Sequence, residues 1–241
     1  MDKQRLVQTA QALVAEGKGI LAADESGGTI KRRFDSINVE STEDNRRNYR
    51  EMLFRTAGVD KFISGVILFD ETIRQDAADG TSMVKVLCDR GIIPGIKVDK
   101  GTVPLPEAPD ELVTEGLDGL RDRLKEYNDL GAGFTKWRAV ISISDNTPTS
   151  YGLAANAHAL ARFAALSQEA GLVPIVEPEV LADGDHSIDR CFEVNEATLR
   201  EVFYQLAQHG VALEGCLLKP IQTLLPIFLN SMVILLEVPS S

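Results

Sequence analysis

Residues 134–143 read FTKWRAVISI, a nearly continuous apolar run rich in β-branched side chains. Such a run is expected of a strand covered on both faces. Within it Lys136 and Arg138 stand two apart, and residues two apart on a strand share a face. Five further short apolar runs flank this one, at 19–23, 63–69, 92–98, 172–176 and 213–218. Those at 63–69 and 172–176 have the same β-branched character. Helical patterns lie between them, as at 115–130 and 154–170, the latter ending on Gly171 as a residue just past a helix should. Strands alternating with helices at this spacing predict βαβ units and a parallel sheet, hence an α/β fold.

The ends of the runs distinguish a closed barrel from an open sheet. Asp24, Asp70, Lys97, Lys136, Glu177 and Lys219 each fall at or near the C-terminal end of a run. A (β/α) barrel of the TIM type gathers such residues around one mouth, where barrel enzymes do their chemistry, whereas an open sheet scatters them along an edge. Lys97 with Asp99, Lys136 with Arg138 and Glu177 with Glu179 are spaced i, i+2, so each pair projects into one space. A single pair reads equally well as a solvated strand end. Three pairs on consecutive strands argue against that reading, and the residues gathered at the run ends favour the barrel.

A chain of 241 residues suffices for one barrel domain, and its formal charge of −11 argues against a nucleic-acid binder. Basic residues converging locally still permit an anionic ligand. Cys88, Cys191 and Cys216 are few and far apart, which suits a reducing compartment better than a disulfide framework. The opening residues lack an apolar secretory core, so a cytoplasmic location is expected.

Lys219 follows two leucines and precedes Pro220. A free lysine titrates near pH 10.4, so only about one in a few thousand is a neutral nucleophile at pH 7. Burial and adjacent cations lower that value, and Lys136 and Arg138 are the cations expected if their strand lies across the mouth. A lysine imine withdraws electrons from the neighbouring carbon–carbon bond, as aldol chemistry requires. Glu177 and Glu179 are paired carboxylates fit for proton transfer, or equally for salt bridges to the lysines. The segment 24–29, DESGGT, leads into the helix start Lys31-Arg32-Arg33, a pattern suited to phosphate at a helix N-terminus. His158, His186 and His209 lack a two-histidine ligand spacing, and no metal is expected.

Several blocks in order, LAADES at 21–26, GVILF at 65–69, GIKVDKG at 95–101, KWR at 136–138, PIVEPE at 174–179 and LEGCLLKP at 213–220, resemble the class I fructose-bisphosphate aldolases. NRR at 45–47, GLDGL at 116–120 and DGDH at 183–186 are similar too. The resemblance implies an eight-stranded barrel that reversibly cleaves fructose 1,6-bisphosphate to dihydroxyacetone phosphate and glyceraldehyde 3-phosphate, in glycolysis and gluconeogenesis, with no cofactor or metal. It implies Lys219 as the Schiff-base lysine and Glu177 as its general acid/base. Asp24, Lys136 and Glu179 match residues that order charge around that lysine. Arg138 matches a substrate-binding arginine, and Ser26, Thr29, Arg33 and Lys97 match positions at or near phosphate sites. A homotetramer is implied as well.

The likeness stops after Pro220. Residues 221–241 are apolar but broken by Pro226 and Pro239, match no element of the family, and make a poor membrane span. The expectation is therefore a partial barrel over 1–220, with about six of the eight parallel strands, followed by an aberrant tail at 221–241. A strand within 227–236 would cap one open edge without closing the ring. Weak turnover is expected of such a chain. The alternative is an impaired form that acts by associating with full-length subunits or other proteins.

Overall fold

The computed structural model describes residues 2–220 and the backbone of a two-residue strand, Ile234–Leu235. Strands β1 (Gly19–Ala23), β2 (Ile63–Leu68) and β3 (Ile93–Lys97) precede a hairpin, β4 (Thr102–Leu105) and β5 (Ala108–Thr114). Strands β6 (Phe134–Ile141), β7 (Val173–Val180), β8 (Leu217–Leu218) and β9 (Ile234–Leu235) follow. The main sheet runs β1-β2-β3-β6-β7-β8-β9. Its first six members are parallel, a partial TIM barrel in an α/β fold. Strand β9 pairs antiparallel with β8, Leu235 opposite Leu217 and Ile234 opposite Leu218. It occupies the outer edge of β8, where a capping strand was expected. The rest of the expected tail lies outside the described residues.

The helices are α1 (Lys3–Leu13), α2 (Gly27–Asp35), α3 (Glu43–Arg55), α4 (Asp70–Ile73), α5 (Met83–Cys88), α6 (Leu120–Asp129), α7 (Ser150–Glu169) and α8 (Ile188–Gln208). Among the described residues no helix is long and apolar enough to cross a membrane. The helix expected over 115–130 begins only at Leu120, because the backbone turns at Gly116 and Gly119, both with positive φ, after the β4–β5 hairpin ends at Thr114. In the run at 213–218, Leu213–Gly215 forms a 3-10 turn and the strand proper is two residues long. Helix α1 packs on that turn so closely that a Cβ on Gly215 would lie 2.8 Å from Cβ of Leu6.

The period-two geometry of the strands divides the core into two layers. Trp137 faces outward and stacks on Phe163 of α7, with ring centroids 5.6 Å apart. Thr135, on the same face, donates from Oγ1 to Ser167 Oγ at 2.9 Å. The opposite face carries Phe134, which packs with Ile20, Ile67, Ile175 and Leu217 against Leu6, Ala10 and Leu13 of α1. This inner cluster floors the barrel, and burial of each such large side chain contributes about 1.5–3 kcal/mol. The ring of Phe134 fills the space over β3, where a Cβ on Gly95 would come within 2.3 Å of it. Glycine is the residue that admits the ring there.

Candidate active site

One step of two residues up the inward faces of β6, β7 and β8 leads from Phe134, Ile175 and Leu217 to Lys136, Glu177 and Lys219. Strand parity turns a lysine, a glutamate and a second lysine inward above an apolar floor, and the registers of β6 on β7 and β7 on β8 bring them within reach of one another. Lys219 continues the β8 ladder, its backbone N–H donating to the carbonyl of Val176 at 2.9 Å. Its Nζ donates to Oε1 of Glu177 at 2.6 Å. The other oxygen of Glu177 stands 2.9 Å from Nζ of Lys136. Lys136 in turn donates to Oδ2 of Asp24, at the end of β1, at 3.1 Å. The four side chains form an alternating chain of two cations and two carboxylates, with Glu177 5% and Lys136 7% exposed.

Alternation decides the charge states. Burial by itself would push the Asp24 carboxyl up, but Lys136, with smaller help from Lys97 and Lys219, holds it below the ordinary carboxylate range. For Lys136 burial works toward the neutral amine, and the fields of Asp24 and Glu177 overcome it and hold the ammonium above the ordinary lysine range. The two cations expected beside Lys219 take different places. Lys136 reaches it only through Glu177, and Arg138 is paired with Glu179. Likewise Glu177 and Glu179 do not share a proton site, each being taken by its own cations.

The remaining strand-end residues divide into those near this chain of charges and one apart from it. Lys97 Nζ lies 3.6 Å from Oδ1 of Asp99. Burial raises the Asp99 carboxyl despite the nearby lysines, and its oxygens accept from the backbone N–H groups of Gly101 and Arg138 at 3.2 and 3.4 Å. Asp70 opens α4, and its carboxylate accepts from Tyr127 Oη at 2.8 Å and Arg74 Nη2 at 3.0 Å. The strand has ended at Leu68, so its parity no longer steers Asp70 into the mouth.

Ser26 caps α2, and its hydroxyl oxygen lies 3.2 Å from that of Thr29. Arg33, further along α2, is paired with Glu25 and largely exposed. Sequence reading passed over Arg50, the guanidinium that ties this loop down. It is fully buried, donating to Thr72 Oγ1 at 2.6 Å and to the Glu25 carbonyl at 2.8 Å. The signal was present: Arg50 and Phe54, four apart, are the buried residues of α3, so a cation occupies an apolar-face position. Among the described residues no three His, Cys, Asp or Glu side chains are grouped as a metal site requires.

Comparison with known proteins matches residues 5–225 to the family model described as fructose-bisphosphate aldolase class-I. A probable fructose-bisphosphate aldolase class 1 of Xanthomonas campestris pv. campestris is 60% identical over 219 residues, 91% of this chain and 66% of that protein. Fructose-bisphosphate aldolase 4, cytosolic, of Arabidopsis thaliana is 54% identical over 89% of this chain and 55% of its own length. Among solved structures, the fructose-bisphosphate aldolase of Plasmodium falciparum, crystallised with TRAP and a small-molecule inhibitor, superposes with a TM-score of 0.88. It is 53% identical, and the match covers 90% of this chain and 63% of that one. The chain thus spans less than two thirds of the length of each of these relatives.

Proposed function

The chain belongs to the class I fructose-bisphosphate aldolase family, and from that premise we propose that Lys219 forms a Schiff base with the keto group of a sugar phosphate, fructose 1,6-bisphosphate in the complete reaction. The observation that carries this reading is the 2.6 Å contact between Lys219 Nζ and Glu177 Oε1. Proton transfer across it gives a neutral amine and a carboxylic acid in one step. The amine attacks the substrate C2 carbonyl to give a carbinolamine. The Glu177 acid then protonates the hydroxyl that leaves as water, and the cationic imine remains.

That imine accepts the electron pair of the C3–C4 bond as it breaks, while the Glu177 carboxylate, restored in the preceding step, takes the C4 hydroxyl proton. Glyceraldehyde 3-phosphate is released, leaving an enamine of dihydroxyacetone phosphate on Lys219. Asp24 and Lys136 keep charge alternating around Glu177, so a proton leaving Lys219 enters a site already balanced. Arg138 is assigned to the substrate, and Glu179, its ion-pair partner, to ordering charge around the lysine. Ser26, Thr29, Arg33 and Lys97 are assigned to its phosphates, in keeping with the hydroxyl pair at the start of α2 and the exposure of Arg33. The chemistry needs no metal or organic cofactor. A homo-oligomeric assembly and a cytosolic setting belong to the same proposal, the latter supported by the plant relative named as cytosolic.

A second reading has its own support. Among the described residues β1 pairs with β2 alone, so its other edge presents unpaired backbone groups. This favours a chain of low turnover that acts by joining a full-length aldolase subunit. Cleavage of fructose 1,6-bisphosphate by the purified chain, lost in Lys219→Ala, is expected on the first reading. Co-purification with a full-length aldolase and no cleavage is expected on the second.

A further inference from the structure

Glu25 stands between two guanidinium groups of opposite character. Its Oε1 accepts from Nη1 of Arg33, whose side chain is 58% exposed. Its Oε2 lies 3.8 Å from Nη2 of Arg50, whose side chain is wholly buried. That second oxygen accepts no hydrogen bond, and Nε of Arg50 donates none, although both atoms are buried. Groups in this condition are normally satisfied, because desolvation without a partner is costly. The carboxylate therefore has one partner in hand and a second in waiting.

The two arginines differ in their freedom to move. Arg50 is fixed by its bonds to Thr72 and to the Glu25 carbonyl, and its guanidinium lies 5.8 Å over the ring of Phe69. Arg33 is held by Glu25 at the tip of an exposed side chain, on the helix that carries Thr29 and is capped by Ser26. We propose that Glu25 is a transferable counterion: a phosphate monoester at the start of α2 draws Arg33 away, and Glu25 passes to Arg50. The gap from 3.8 Å to an ordinary charge-assisted hydrogen bond is about 1 Å, a side-chain adjustment.

Without Arg50, release of Arg33 would strand a carboxylate that is 7% exposed, and that cost would oppose phosphate binding. Arg50 is thus a positioning residue that sets phosphate affinity through Glu25 and never touches the ligand. This inference rests on the reading of Arg33 as a phosphate ligand.

The test is titration of the full chain with inorganic phosphate by calorimetry, in wild type, Glu25→Gln, Arg50→Lys and the double variant, with Arg33→Ala as control. Glu25→Gln frees Arg33 and is expected to tighten phosphate about fivefold, the upper scale of an ion pair with one exposed partner. Arg50→Lys keeps the charge but loses the planar fork, and is expected to weaken phosphate about tenfold. In the Glu25→Gln background the same lysine substitution should change affinity less than about twofold. Equal weakening in both backgrounds would make Arg50 merely structural and overturn the proposal. So would unchanged affinity in Glu25→Gln, an arm that decides alone if Arg50→Lys fails to fold, or wild-type affinity in Arg33→Ala. Borohydride trapping of dihydroxyacetone phosphate on the same wild-type protein tests the Schiff-base reading separately. Its failure beside an intact phosphate cycle would count against that reading only.

Discussion

Glu177 holds Lys219 by one oxygen and Lys136 by the other, at 2.6 and 2.9 Å, so the two amines are joined by a carboxylate and do not meet. In the proposed mechanism this shared carboxylate is both structural ion and proton acceptor, and its replacement should separate those roles.

Glu177→Gln keeps the shape of the side chain but cannot take the Lys219 proton. Imine formation with dihydroxyacetone phosphate should slow by about 10²–10⁴-fold, the usual worth of a positioned acid/base. Quenching with borohydride at timed intervals gives the rate. Loss of one partner from a buried set also destabilises, by about 3–5 kcal/mol, so the denaturation midpoint should fall in parallel. A variant that forms the imine at the wild-type rate would remove Glu177 from the chemistry.

Acid should weaken the fold partly through Asp24. Its carboxyl titrates below its unfolded value in the folded chain, mainly because Lys136 outweighs the effect of burial. A depressed carboxylate contributes stability that is fully present above the ordinary carboxylate range and is lost as pH falls through the folded value. The contribution of Lys136, held above its ordinary range, is fully present below the ordinary lysine value and is lost only as pH rises through the raised one. The thermal midpoint should therefore drop from pH 5 toward about pH 2, and Asp24→Asn should flatten that acid limb. An acid limb equally steep in the variant would contradict the assignment.

Gly95→Ala should destabilise by about 1–3 kcal/mol, since overpacking displaces a buried ring. The new Cβ would meet Phe134 at 2.3 Å, and that ring is fully enclosed by the barrel floor. Adding Phe134→Leu should return part of the loss, as read from urea midpoints. Additive losses would place the strain elsewhere.

Much of this architecture is legible in the residues. The runs at 19–23, 63–69, 92–98 and 134–143 become β1, β2, β3 and β6 with ends shifted by two residues or fewer, because strands buried on both faces leave an unbroken apolar trace. The run at 172–176 stops short of β7, which continues through Glu177 to Val180: interior charges break the apolar trace without breaking the strand. The β4–β5 hairpin leaves no such apolar trace. Pro104, Pro106 and Pro109 mark its segments as irregular, and Glu107 turns them with φ 61°. Parity predicts that Lys136 and Glu177 face inward, but ion pairing between strands depends on register, which single-strand patterns do not carry. For the same reason Lys219 could be expected near the cations of β6 while the carboxylate of β7 stands between them.

The most direct measurement is peptide mapping by mass spectrometry after borohydride reduction of the chain with dihydroxyacetone phosphate. One reduced adduct on the peptide containing Lys219, absent in Lys219→Arg, is the predicted result. An adduct on another lysine, or the same labelling in Lys219→Arg, would contradict the central claim.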